Sequence, residues 1–191
     1  IKRKDLEMAR STFKLGAITM LISFVLVAVS GDITARIMTE QQPMKMAAAE
    51  ALYDTQANAP FSLLTIGTLD GSKAVFQMGV PSVLSFMSTG DFNGVVEGIN
   101  DLEAMYDEKY GPGDYTPNVP LAYWSFRLMI GFGVIASLFV FLALWQMRRG
   151  GTPKGKWFGP AMYSLPFLPL LANSFGWIFT ETARQPWAVF G

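Results

Sequence analysis

Seven residues carry side chains that could do chemistry at or beside apolar helices: Lys45, Glu50, Arg127, Met129, Trp177, Glu181 and Arg184. Arg127 stands just before the uncharged run 128–147. An ionisable group there either pairs or serves a site, or it snorkels to head groups at the boundary. Position alone leaves both open. Met129 follows two residues later, about 200° round a helix. A methionine in such a helix is usually packing, but a thioether is also a suitable axial ligand for haem iron and raises its potential. Trp177, Glu181 and Arg184 share one helical stripe at i, i+4 and i+7. They read as an interfacial aromatic with a Glu–Arg pair worth about a few tenths of a kcal/mol. They read equally as an acid held at a cofactor, with a guanidinium neutralising a second anion such as a propionate. Lys45 and Glu50 lie five residues apart, about 140° round a helix, and are poorly placed to bridge each other. They form either a solvated face or two separate contacts to a small polar molecule. In the second case the carboxylate takes a proton from a hydroxyl and the ammonium holds an oxygen.

Other chemistries are excluded by composition. The 191 residues include no Cys and no His. There is therefore no disulfide, no Cys/His zinc site, no thiol nucleophile and no histidine base within them. Fifteen basic and fifteen acidic residues cancel, and without a basic run nucleic acid is not an expected partner. The chain is 16% charged, below the roughly 25% of soluble domains.

The charges are segregated, and this indicates which elements must position the seven residues. Runs 15–30, 128–147 and 157–180 carry none. A helix needs about 20 apolar residues to cross a bilayer. The expected fold class is therefore an all-α integral membrane protein, with transmembrane helices at 11–33, 121–147 and 157–181. Pro160, Pro166 and Pro169 make kinks expected in the third. Lys2, Arg3, Lys4 and Arg10 precede the first span and Lys14 lies near its start, and Arg148, Arg149, Lys154 and Lys156 separate the second from the third. Segment 32–118 holds twelve acidic and four basic residues, a net charge of −8. Positive loops stay in the cytoplasm. This predicts a cytoplasmic flank at 1–10, an extracytoplasmic loop at 34–120, a cytoplasmic turn at 148–156 and an extracytoplasmic end at 182–191. Within the long loop, Gln42-Pro43 starts a helix through MKMAAAEALYD, and residues 101–109 form another. Residues 60–90 read as irregular or short extended pieces, and 111–120 as a Pro/Gly-rich connector.

Four segments carry a family resemblance. QQPMKMAAAEALYDT (41–55), STGDFNGVVEGINDLE (88–103), YWSFRLMIGFG (123–133) and GWIFTETARQPWAVFG (176–191) resemble, in order, parts of subunit I of the cytochrome bd-type quinol oxidases. The resemblance spans essentially the whole chain and follows the short-loop branch. It implies that the loop binds quinol, with Lys45 and Glu50 at the quinol. Met129 would be an axial ligand of low-spin haem b, with Arg127 close to that haem. Glu181 would be the ligand of high-spin haem b, with Trp177 beside the haem pair and Arg184 near its propionates. Quinol would be oxidised at the outer face of a bacterial or archaeal cytoplasmic membrane, and oxygen reduced to water.

The sequence also departs from the family. Ala183 stands where the family commonly has Gly. The family's histidine ligands, to the low-spin haem and to haem d, lie upstream of everything here. The expectation is therefore a C-terminal portion of subunit I, three helices of a larger bundle. Its partners would be the remainder of that subunit, a second membrane subunit and, as the family allows, small accessory subunits. A rival reading is a non-redox transporter or channel subunit in which Arg127 lines a polar pathway.

Overall fold

The computed structural model describes residues 3–68, 73–148, 156 and 158–187. Two compact units make up the chain. One contains Ile1–Ser30 and Leu128–Ser174, the other Gly31–Arg127 and Phe175–Gly191.

The protein is mostly helical, and among the described residues two helices are long and apolar enough to cross a bilayer. The first, α1 (Arg3–Gln41), has 39 residues, about 58 Å of helix. It runs well past the expected 11–33, because Gly31 and Asp32 do not break it and an Asp32–Arg36 pair at 3.4 Å bridges one turn. The helix stops where Gln42 turns out of helical geometry before Pro43, which cannot donate a backbone hydrogen bond. The second, α5 (Val119–Met147), has 29 residues and matches the expected 121–147 closely. The third expected span, 157–181, is two helices rather than one: α6 (Phe158–Ser164) and α7 (Phe167–Thr182). Pro166 lacks the N–H and disfavours helical geometry at Leu165 before it. Pro160 and Pro169 sit in first turns, where the missing donor costs nothing. The 16 residues of α7 give about 24 Å, short of the ~30 Å hydrocarbon core. Most of the expected cytoplasmic turn lies outside the described residues.

The long segment between α1 and α5 is folded, and it corrects the expectation of an all-α protein. The chain order is α2 (Pro43–Glu50), β1 (Gln56–Ala57), β2 (Phe61–Gly67), β3 (Ala74–Val80), α3 (Val83–Thr89), β4 (Val95–Val96) and α4 (Ile99–Tyr110). Strands β1 and β4 pair antiparallel, as do β2 and β3. The β-branched and aromatic content of 60–80 favours strands. Alternation is hidden because the β2–β3 register shifts between Ser62 and Leu64. Such an irregularity re-aims side chains, so Ser62 and Thr65, three apart, are both buried. Helix α3 was not expected.

Three apolar clusters hold this unit together. Met44, Ala47, Leu102, Tyr106 and Tyr123 join α2, α4 and α5. Met46, Leu52, Leu84 and Val96 pack α2 against α3 and β4. Ala48 and Ala49 meet Ala122, Phe179 and Ala183. A side chain at Gly98 would run into the backbone of Asp54 and Thr55, and the Gly98 N–H donates to Thr55 Oγ1 at 2.9 Å. Gly98→Ala should therefore destabilise the segment by about 1–3 kcal/mol, read as faster limited proteolysis between α1 and α5. Wild-type protease resistance would show that the close approach is not required.

Candidate functional site

Helix α2 ends at Glu50 because Ala51 turns into the left-handed region, with φ 48°. The Ala51 N–H donates to Ala48 O at 3.3 Å and the Leu52 N–H to Ala47 O at 2.9 Å. This paired closure normally takes glycine. It places the Glu50 carboxylate at the end of a buried helix, with 1% of the residue exposed.

A carboxylate so buried needs partners, and two elements supply them. From α5, Arg127 Nη2 donates to Glu50 Oε2 at 2.5 Å. From β2, the Ser62 N–H donates to the same oxygen at 3.0 Å. Burial raises the Glu50 carboxyl above its ordinary range, while Arg127 and the Ser62 N–H pull the other way. The guanidinium of Arg127 also lies over aromatic rings, 4.6 Å from the centroid of Phe61, 5.0 Å from Tyr123 and 5.3 Å from Phe126. Such contacts contribute about 0.5–2 kcal/mol each. Arg127 Nε and Nη1 are buried and have no hydrogen-bond partner among the described residues. Two buried donors aimed at nothing suit an anionic acceptor.

Of the two sequence readings of Arg127, the structure takes the paired one, with a partner from a different element. For Glu50 the solvated face is ruled out by burial. Lys45 is partly buried, and its Nζ lies 5.5 Å from the centre of the Phe179 ring. Its pKa is lowered, first by burial and then by the charge of Arg184, with Glu181 acting in the opposite sense. Lys45 and Glu50 do not bridge each other, as their spacing predicted.

Helix α7 has two faces here. Phe179 and Ala183 are buried against Ala48, Ala49 and Ala122, with Phe126 packed alongside. The methyl of Ala183, at the family's glycine position, fills space in this contact. On the other stripe Trp177 is 68% exposed. Arg184 Nη2 donates to Glu181 Oε2 at 2.6 Å, with both side chains 39% exposed. An exposed pair of this kind is worth about 0–1 kcal/mol. Met129 is partly buried on α5 and belongs to the other unit. Sequence reasoning missed Phe61, Ser62, Thr65, Tyr123 and Phe126. Of these only Tyr123 carried a signal, one turn before Arg127 on the same helical face.

The family model described as "Cytochrome bd terminal oxidase subunit I" matches residues 1–191. Cytochrome bd ubiquinol oxidase subunit 1 of Bacillus subtilis (strain 168) is 39% identical over 193 residues, covering all of this chain and 41% of that protein. A putative cytochrome bd menaquinol oxidase subunit I of the same organism is 28% identical over 169 residues, covering 87% of this chain and 35% of that one. The bd oxidase structure from Geobacillus thermodenitrificans matches with a TM-score of 0.72 at 27% identity, over 92% of this chain and 39% of that chain. The chain thus spans well under half the length of these relatives. A match along its whole length and 39% identity to a curated relative lead to one conclusion: the chain belongs to the cytochrome bd terminal oxidase subunit I family.

Proposed function

We propose that this chain supplies the quinol-facing and haem-facing part of a membrane terminal oxidase, which oxidises quinol at the outer face and reduces oxygen to water. The observation that carries the reading is the buried Glu50–Arg127 pair at 2.5 Å. It joins a carboxylate of the segment assigned to quinol with a guanidinium of the helix assigned to haem. The two relatives are named for ubiquinol and menaquinol respectively, and the substrate class common to both is quinol.

The roles follow residue by residue. Glu50, with its raised pKa, is suited to take a proton from a quinol hydroxyl. Lys45, partly buried and held over Phe179, would hold a quinol oxygen. The unused Nε and Nη1 donors of Arg127 fit a haem propionate. Met129, two residues on, offers a thioether to low-spin haem b. Glu181 offers a carboxylate to high-spin haem b, with Trp177 and Arg184 in the same surroundings. Haem supplies one-electron transfer and oxygen chemistry when bound. Haem d would take its ligand from outside this chain. In this reading α1, α5 and the broken α6–α7 pair are three spans of a larger bundle in the cytoplasmic membrane. The segment between α1 and α5 lies on the outer face. The remainder of subunit I, a second membrane subunit and the lipid complete the complex. Nothing observed favours a transporter, because the charge of Arg127 is met by Glu50.

Two substitutions in the complete complex test this. Met129→Leu should alter the low-spin haem absorption bands and lower the potential of that haem; an unchanged visible spectrum would contradict the ligand assignment. Glu50→Gln should reduce quinol turnover by about tenfold or more while haem content stays normal. Wild-type turnover there would remove Glu50 from the quinol site.

A further inference from the structure

Four groups outside the family motifs' named roles meet behind Glu50. Tyr123 Oη accepts the Thr65 N–H at 2.7 Å and lies 2.8 Å from Ser62 Oγ. Ser62 Oγ lies 2.6 Å from Thr65 Oγ1. Ser62 and Thr65 are 0% and 2% exposed, and Tyr123 is 2% exposed. With Oη already accepting from Thr65, the arrangement that uses its proton has Tyr123 donate to Ser62 and Ser62 donate to Thr65.

These bonds close a ring. Tyr123 and Arg127 stand four residues apart on one face of α5. Tyr123 grips Ser62, the Ser62 N–H holds Glu50, Glu50 accepts from Arg127, and Arg127 returns to α5. The link from Ser62 to Glu50 is a main-chain N–H, which cannot pass a proton on. The cluster therefore holds the carboxylate and does not conduct from it. Loss of the Tyr123 hydroxyl would leave the buried Thr65 N–H without its acceptor. Strand β2 would have to shift to satisfy it, carrying the Ser62 N–H away from Glu50.

We propose that Tyr123 is a positioning residue for Glu50, fixing strand β2 so that the carboxylate is gripped between the Ser62 N–H and Arg127. The functional consequence rests on the reading of Glu50 as a quinol contact, while the clamp itself rests on geometry alone.

The test uses the complete complex and infrared titration of the Glu50 carboxyl, assigned as the band lost in Glu50→Gln. Arg127 from α5 and the Ser62 N–H from β2 are the groups that act on it, and Tyr123 acts only through Ser62. Tyr123→Phe should move the midpoint upward by about half a unit or more, because a bond to the charged form is lost. It should also raise the KM for quinol about threefold or more with kcat largely kept. Ser62→Ala keeps the N–H but loosens the strand, and should shift the midpoint in the same direction by less. Should Tyr123→Phe fail to assemble, Ser62→Ala carries the same test. A midpoint unchanged or lowered would overturn the clamp. A raised midpoint with unchanged KM would uphold the clamp and remove Glu50 from the quinol site.

Discussion

An acidic side chain with 1% of its surface exposed can stay charged only where other groups replace water. Glu50 meets that requirement by drawing three elements to one point: the end of α2, the start of β2 and the third turn of α5. Each would be unsatisfied alone. Glu50 would have no counter-charge, the Ser62 N–H no acceptor, and Arg127 a guanidinium held among Phe61, Tyr123 and Phe126 with no anion. Removing one partner from such a buried pair typically costs about 3–5 kcal/mol, because the other charge is left behind. The left-handed closure at Ala51 follows from the same demand. It stops α2 at the residue whose carboxylate must face α5, at a cost of about 1 kcal/mol in a residue that is not glycine.

Around this point the packing is graded by side-chain size. Ala47, Ala48 and Ala49 are at most 1% exposed. Their small side chains let α4, α5 and α7 approach α2 closely. Phe179 and Ala183 fill one contact, which leaves Trp177 and Glu181 on the opposite stripe of α7, with Arg184 in the turn just past the helix end. Lys45 belongs with the second charge system. Its pKa is lowered first by burial and then by Arg184, with Glu181 opposing, whereas Glu50 is paired with Arg127. The two quinol-assigned residues therefore belong to separate electrostatic neighbourhoods, as the 140° between them on α2 implied.

Much of this was legible in the sequence, for physical reasons. Uncharged runs locate apolar helices, and Gln42-Pro43 locates a helix start. Helical spacing puts Trp177 and Glu181 on one stripe of α7, whereas Arg184 lies past the helix end at Thr182 and still reaches Glu181. Other features were not legible because they depend on distant partners. The hairpin of β2 and β3 was obscured by its own irregular register, which breaks alternation at Ser62. The break at Leu165–Pro166 could have been a kink, since a membrane helix tolerates proline when neighbours satisfy the freed carbonyls. Glu50 finding Arg127, 77 residues along the chain, has no local signature. The family resemblance assigned Glu50 to the quinol substrate and Arg127 to the surroundings of a haem, and gave no sign that they touch.

Under the proposed assignment, the Glu50–Arg127 contact puts the carboxylate proposed for quinol into the electrostatic surroundings of the helix proposed to hold the low-spin haem. The most direct measurement is the midpoint potential of the low-spin haem in the complete complex, by spectroelectrochemistry, with Glu50 intact and with Glu50→Gln. Neutralising an anion paired to Arg127 leaves more positive charge beside the haem and favours its reduced state. The account predicts a higher potential in the variant. A potential equal to that of the unaltered complex would contradict it.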